Sequence, residues 1–420
     1  MKRILTTLGC AFLAATASGG AVAQLIPVLP GPFAPDYGEI LSPEAAEGRR
    51  YRLAVGADFA YDDNVFRLPA GDTTATVGAT GRSNESWISR IYVQGNVDVP
   101  VSRQRFLAQI TANSFRFTDL SYLDYNALDF RGAWLWQAGD LWKGEVRYEH
   151  VRGLTPFIDG RPIVQNLRTL DYGVANAEYS LTPRWALLGG VIAYDASNSD
   201  SGYRPGNVRQ LGGEFGVKYL GTGPNYISLL GAVAKGSYPD RVATPLFDDE
   251  YTQTDIGVAA LYAVSDISFV TGRINYTSRE SPNVPARDFS GPTGRVDFSW
   301  GLSPKSGLLF GARRELGVFE DISTSYTVTD IAGIGGWWEQ VPRVRLEATY
   351  ERWWREYVGG LAPGLPNRDE DLAFAVAGVR WTPGHNWLFR LGYQWSTRDS
   401  NFTAFNFDSN ILFGTVEFHF

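Results

Sequence analysis

The 420-residue chain is poor in the residues on which enzyme chemistry most often depends. It has one cysteine, Cys10, one methionine, Met1, and only three histidines. Both sulfur residues fall in the first two dozen positions, a stretch assigned below to a signal peptide. The exported chain then has no thiol, which excludes disulfides, cysteine-ligated metals and cysteine nucleophiles. Positive charge is also short. There are 38 Lys and Arg against 45 Asp and Glu, giving a net charge of -7 and a pI near 5.2. A nucleic-acid binder would normally carry an excess of positive charge, so that class is set aside. No apolar run of membrane-spanning length follows the start, and the mean hydropathy is -0.17. A polytopic helical membrane protein is therefore excluded. What is abundant is aromatic and small: 14% aromatics, 13 Trp and 46 Gly. A chain of this length can bury a sizeable core or form one large β-barrel.

The N-terminus selects the compartment. Lys2 and Arg3 precede an apolar, small-residue stretch from Ile4 to Ala17, and Ala21-Val22-Ala23 before Gln24 has the form accepted by signal peptidase. Residues 1–23 are read as a signal peptide. Removing Lys2 and Arg3 takes Lys and Arg from 38 to 36 against 45 acids, a balance of about -9. Cys10 sits too early, and without the usual Leu three places before it, to be a lipidation site. Residues 24–50 are rich in proline (Pro27, Pro30, Pro32, Pro35, Pro43) and carry no helical or strand period. Proline supplies no backbone N–H, so a periplasmic tail without regular structure is expected.

From Tyr51 to the last residue the pattern has period two. Tyr51, Leu53, Val55, Ala57, Phe59 and Tyr61 alternate with Arg52, Ala54, Gly56, Asp58 and Ala60. Trp142, Val146 and Tyr148 alternate with Lys143, Glu145, Arg147 and Glu149; Trp387, Phe389, Leu391, Tyr393 and Trp395 alternate with Leu388, Arg390, Gly392, Gln394 and Ser396. These segments run about ten to fifteen residues, longer than sandwich strands and long enough to cross a bilayer with tilt. About eighteen strands can be counted, an even number as bacterial single-chain barrels have. Connections alternate between tight and long. Leu181-Thr182-Pro183-Arg184, Ser303-Pro304-Lys305 and Thr382-Pro383-Gly384-His385 are tight, with Pro presetting φ. Long ones include the segments 62–85, 153–165, 237–249 and 358–368. Short periplasmic turns and longer outside loops are the asymmetry of outer-membrane barrels. The expected fold is all-β: a single transmembrane antiparallel barrel spanning 51–420, in the outer membrane of a Gram-negative bacterium and in contact with its lipid.

The final segment agrees. Leu412, Gly414, Val416, Phe418 and Phe420 share one face, the pattern read by the outer-membrane barrel assembly machinery. Trp337-Trp338 and Trp353-Trp354 suit interfacial aromatic girdles.

No residue set supports catalysis. A hydrolase would need a histidine beside a nucleophile or water. His385 lies in a tight turn, His419 is penultimate, and His150 shares the outward face with Tyr148. The acidic clusters at Asp62-Asp63, Asp248-Asp249-Glu250 and Asp369-Glu370-Asp371 lack the spacing of a calcium loop. Neither a metal nor another cofactor is expected. The persistent chemical signal is in the lumen. Arg52, Arg90, Arg105, Lys143, Arg147, Arg273, Arg295, Arg343, Arg345 and Arg390 are expected to face inward, interleaved with Asp58, Asp98, Glu145, Glu149, Asp297, Glu347 and Glu351. Such a wall is hydrated and suits neutral or anionic solutes, and its charges can also pair across strands. Arg far outnumbers Lys there, which favours bidentate pairing with carboxylates.

At the end of the first strand stands Tyr61-Asp62-Asp63-Asn64-Val65-Phe66-Arg67. It resembles the YDDN-[LV]-F-R stretch of EpsL-like outer-membrane barrels, within the wider group of outer-membrane β-barrel porins. The resemblance implies a channel for exopolysaccharide export, working with a periplasmic polysaccharide-export protein. Physically, Asp62, Asp63 and Asn64 are turn formers and Arg67 can pair with either Asp, so the stretch also reads as a loop lock. The alternative is a diffusion or substrate-specific porin for small solutes. An export conduit needs a wide, wet lumen. No connection reads as a long constriction loop folding inward, and only the segment 62–85 suits a gate.

Overall fold

The computed structural model describes residues 50–70, 84–158, 163–244, 248–318, 326–358 and 367–420. The expected signal peptide, and all of the proline-rich segment except Arg50, lie outside them. Eighteen strands account for most of the rest. The first are β1 (Tyr51–Asp62), β2 (Ser86–Val101), β3 (Gln104–Phe117), β4 (Tyr125–Ala138), β5 (Trp142–Leu154) and β6 (Leu167–Ser180). Next come β7 (Trp185–Asn198), β8 (Val208–Leu220), β9 (Tyr226–Ser237), β10 (Glu250–Ser265), β11 (Ser268–Glu280) and β12 (Phe289–Ser303). The ring is completed by β13 (Ser306–Val318), β14 (Tyr326–Trp338), β15 (Val344–Val358), β16 (Asp369–Trp381), β17 (Trp387–Ser400) and β18 (Phe407–His419).

Each strand pairs antiparallel with its neighbours in sequence, and β1 pairs with β18, so the sheet closes on itself. Closure removes every free edge. That is what hydrocarbon demands, because an unpaired backbone group there costs several kcal/mol. Turns at one rim are two to five residues long, whereas connections at the other have at least six. The short-turn rim is the periplasmic one.

The two faces sort as the alternation requires. Phe59, Ile91, Leu211, Phe215, Leu229, Ile256, Ile274 and Leu391 are exposed on the outside. At the periplasmic rim, aromatic pairs form a belt: Phe106–Trp134, Trp142–Tyr179, Trp185–Tyr219, Trp381–Phe389 and Trp387–Phe418, with ring centroids 4.6–6.1 Å apart. On β18, Leu412, Val416 and Phe418 take the outward register, and Phe420 donates its backbone N–H to Leu53 at 2.9 Å.

The tryptophan doublets need correction. Trp338 and Trp354 are exposed on the outside, but Trp337 and Trp353 are buried inside. Adjacent residues of a strand point to opposite faces, so only one member of each doublet can join a girdle.

Phe215, 69% exposed and near the middle of β8, probes the lipid contact. Phe215→Arg is expected to destabilise the barrel by about 2–4 kcal/mol in unfolding from vesicles. A loss below about 1 kcal/mol would place that face outside the hydrocarbon.

Candidate functional site: the lumen and its plug

The inward wall is built largely from charged pairs. Arg90 meets Asp58 at 2.8 Å and donates to Asn113 at 2.9 Å. Arg105 grips Asp98 through two bonds, at 2.7 and 2.5 Å, the bidentate geometry that a guanidinium permits and an ammonium does not. Lys143 and Lys218 share Glu178 at 3.0 Å each. Arg131 and Arg147 flank Glu149, at 3.5 and 3.6 Å, and Glu145 accepts from Asn176. Arg273 reaches over two strands to Glu214 at 2.5 Å. Arg295 holds Asp297 at 2.5 Å, Arg345 holds Glu347 at 2.6 Å, and Arg390 lies 3.9 Å from Glu347. Arg52 takes the inward register opposite Asn96.

Arg343 is the exception. It sits in the periplasmic turn before β15 at a φ of 66°, exposed, and donates to the Pro383 carbonyl. The turn ends one residue later than alternation alone suggests, so Arg343 leaves the wall and braces two turns together.

Sequence reading also missed Arg313, Glu315, Arg380 and Arg398, all on inward positions. Arg313 meets Glu315 at 3.1 Å and Glu351 at 3.4 Å. Arg380 stands beside Arg345 and Arg390 in register. From Leu372 to Val379 β16 is apolar or small on both faces, so the parity of Arg380 carried little signal.

The motif at residues 61–67 is a brace. Arg67, at a φ of 55°, clamps Asp62 with both terminal nitrogens at 2.9 Å. Asn64 donates its amide to the carbonyls of Leu68 (2.9 Å) and Asp408 (2.7 Å), and accepts from the Leu68 N–H at 2.8 Å. Asp63 takes the backbone and side-chain N–H groups of Asn410, both at 2.7 Å. Tyr61 faces outward against Trp87 and donates to Glu85. The result turns the chain back over the lumen and buries Val65, Phe66 and Leu68.

These three residues join an apolar plug with Ala60, Ile88, Phe117, Leu123, Tyr125, Leu154, Phe157, Ile411 and Phe413. The extracellular part of the lumen along β18 and β1–β5 is therefore packed with apolar side chains, where the sequence leads one to expect a polar, hydrated channel. A smaller cap of Ala196, Val208, Tyr238 and Tyr251 lies along β7–β10.

The expectation that no constriction loop folds inward is also corrected. Asn166 ties the base of the β5–β6 loop, exchanging backbone and side-chain bonds with Thr155 at 2.8 Å. From there Phe157 packs edge-on against Phe66, with centroids 4.9 Å apart. Ile158 packs against Ile331, Trp353 and Leu372 on β14–β16. β14 is nine strands from β5 in an 18-strand ring, so Ile158 reaches the opposite wall. Arg398 of β17 donates to the Ile158 carbonyl, and Glu370 holds Arg398 at 3.5 Å while accepting from Tyr357 at 2.9 Å. Residues 71–83, the centre of the expected gate, lie outside the described residues.

Between loop and wall a cavity of about 170 Å³ remains. Its lining includes the charged Arg67, Arg380, Arg390 and Glu347 together with the rings of Phe115, Phe117, Phe157 and Phe413. The histidines do not converge there. His150 faces outward and bonds Asp171 at 2.8 Å, His419 meets Glu417 at 2.7 Å, and His385 stays in its turn. Among the described residues, no cluster of three His, Cys, Asp or Glu is placed to hold a metal ion.

A closed antiparallel ring of 18 strands, apolar outside and ion-paired within, defines a β-barrel of the Gram-negative outer membrane. Among solved structures it is similar to OpdK of Pseudomonas aeruginosa, at 11% identity and a TM-score of 0.48, covering 88% of this chain and 99% of that one. The BenF-like porin of Pseudomonas fluorescens Pf-5 is similar at 12% identity and a TM-score of 0.48, over 88% and 98% of the two chains. OccAB3 of Acinetobacter baumannii is similar at 10% identity and 0.47, over 88% and 98%. No family model and no curated protein matches the sequence. None of these comparisons supports the resemblance to EpsL-like barrels.

The brace makes its own prediction. Asn64→Ala leaves the buried backbone groups of Leu68 unpaired and frees the half-buried carbonyl of Asp408, a cost of about 1–3 kcal/mol. Cleavage by added protease between Asp62 and Glu85 is expected to speed up about tenfold in the folded barrel. An unchanged rate would show that the loop is held by its apolar contacts alone.

Proposed function

We propose that this protein is a selective outer-membrane channel for small solutes. The observation that carries the reading is the start of the β5–β6 loop, whose Phe157 and Ile158 leave β5 and pack inside the lumen against Phe66 and the β14–β16 wall. A barrel of this strand number encloses a broad aqueous channel unless something fills it. Here the Phe66–Phe157 contact and the Ile158–Arg398 link place side chains and backbone across it. An extended polysaccharide would need that path clear along its whole length. The fixed carboxylate–guanidinium wall suits solutes that exchange hydration for directed polar contacts.

Liposome swelling tests the reading. The full chain in vesicles is expected to admit pentoses and hexoses and to exclude maltohexaose. Arg398→Met combined with Ile158→Gly removes both contacts of Ile158 with the far wall and is expected to raise single-channel conductance at least about twofold. Entry of maltohexaose at the hexose rate, or a conductance indifferent to the double substitution, would overturn the proposal in favour of an open conduit.

A further inference from the structure

Four charged residues cross the outer surface of β7–β10 in the order minus, plus, plus, minus: Asp195, Arg209, Lys235 and Glu250. Each shares the outward parity of an exposed apolar residue on its own strand: Val191, Leu211, Val233 and Ile256. Arg209 stands opposite Ser237 and Lys235 opposite Leu211, so the two cations are diagonal neighbours. Such positions are about 7–8 Å apart, within joint reach of long side chains. The carboxylates stand on the far flanks. Asp195 accepts from the Arg209 Nε at 2.6 Å, and Glu250 lies 3.1 Å from the Lys235 Nζ. Both cationic side chains remain about two-thirds exposed, at 68% and 67%. Ion pairs so exposed contribute at most about 1 kcal/mol, so these carboxylates do little to withhold the cations from another anion.

Their depth is that of a lipid headgroup. Arg209 is the second residue of β8 at its extracellular end, and Tyr219 of the periplasmic aromatic belt lies ten residues further on. At about 3.3 Å per residue and a tilt near 40°, that is about 25 Å, the height of a barrel's apolar band. Below the cations the surface is apolar and uneven. Leu211, Phe215, Leu229 and Val233 are exposed. Gly213 separates Leu211 from Phe215, and Gly189 lies opposite Phe215 on β7, where an added Cβ would meet nothing within 4 Å. The same rim differs on β15–β17. There Asp371 stands directly opposite Asp399, and Arg352 is clamped by Asp371 through Nε and a terminal nitrogen. A phosphate would be repelled on that side and attracted on β8–β9.

We propose that the outer face of β8–β9 docks lipopolysaccharide, the phosphorylated and acylated glycolipid of the leaflet around it. One phosphate of its lipid A bridges Arg209 and Lys235 through charge-assisted bonds and offsets their like-charge contact. An acyl chain runs down the wall over Gly213, beside Phe215 and Leu229. A phosphomonoester carries about -1.5 to -2 charges and three acceptor oxygens. The phosphodiester of a glycerophospholipid carries one charge and two free oxygens, so it satisfies the two cations less well. The site lies on the outer wall and does not depend on what crosses the lumen.

Native mass spectrometry on the full chain in non-ionic detergent compares two probes, diphosphoryl lipid A and phosphatidylglycerol, each with and without EDTA. Lipid A is expected to bind about tenfold more tightly than phosphatidylglycerol, with EDTA making no difference. Arg209→Gln with Lys235→Gln is expected to lower the lipid A affinity about tenfold, and Arg209→Lys alone to retain most of it. Arg314→Gln with Arg352→Gln, which changes the outer face of β13 and β15, is expected to leave it unchanged. Heat-modifiable migration checks that each variant has folded. Equal binding of the two lipids, or a β8–β9 double variant that holds lipid A like the parent, overturns the proposal. Loss of binding in EDTA also overturns it, because a divalent cation on the carboxylates would then carry the phosphate.

Discussion

Hydrocarbon offers no partner to a backbone N–H or C=O, and that single constraint organises the molecule. It forces β1 to find β18 and leaves no edge unpaired. Once the ring is closed, period two leaves each side chain a choice of two solvents, lipid or lumen. The consequences are strict at the level of single residues. Trp337 is buried against the lumen while its neighbour Trp338 faces out, and no property of tryptophan decides which. Register decides it.

Inside, two kinds of cohesion share the space. Along the wall, guanidinium and carboxylate groups lock one another, and Arg is the better partner because its planar fork can hold two oxygens at once. On the extracellular side, apolar side chains from β1–β5, β18 and two loops pack together as a soluble core would, each fully buried large side chain contributing about 1.5–3 kcal/mol. The two meet at Glu370, a fully buried carboxylate that gathers Arg368, Arg398 and Tyr357 and so fixes the far end of the β5–β6 loop. Removing one member of such a group leaves an uncompensated buried charge, which is why the loop end is firmly held.

The fold was legible because its signal is repeated: eighteen alternating segments and two classes of connection, each confirming the other. Most of the inward charges could be read the same way, since Arg90, Arg105 and Arg295 stand on strands with one plainly apolar face. Parity failed where that contrast was missing. Between Leu372 and Val379 β16 has small or apolar residues on both faces, so Arg380 gave no hint of its direction, and Arg343 was lost to a turn that ended one residue later. The plug was harder still. Ile88, Phe117, Ile411 and Phe413 carry the inward parity of charged neighbours, and nothing in a local pattern says that a lumen turns dry at one end. The β5–β6 loop is a contact between opposite walls, set by tertiary geometry and not by any window of sequence. The resemblance at Tyr61–Arg67 pointed to the right stretch for a different reason: those residues are a hinge brace, and their type follows from the bonds they make.

That brace takes part of its support from the other end of the chain. Asn64 holds the carbonyl of Asp408 and Asp63 holds Asn410, residues 344 and 347 positions away. These partners come within reach only when the last strand lies against the first. The stopper therefore cannot be seated in a half-built cask. Staves are joined first, and the join itself drives the stopper home. A chain stalled before that moment exposes two unpaired edges and a loose apolar loop together, so its most vulnerable state comes immediately before its completion.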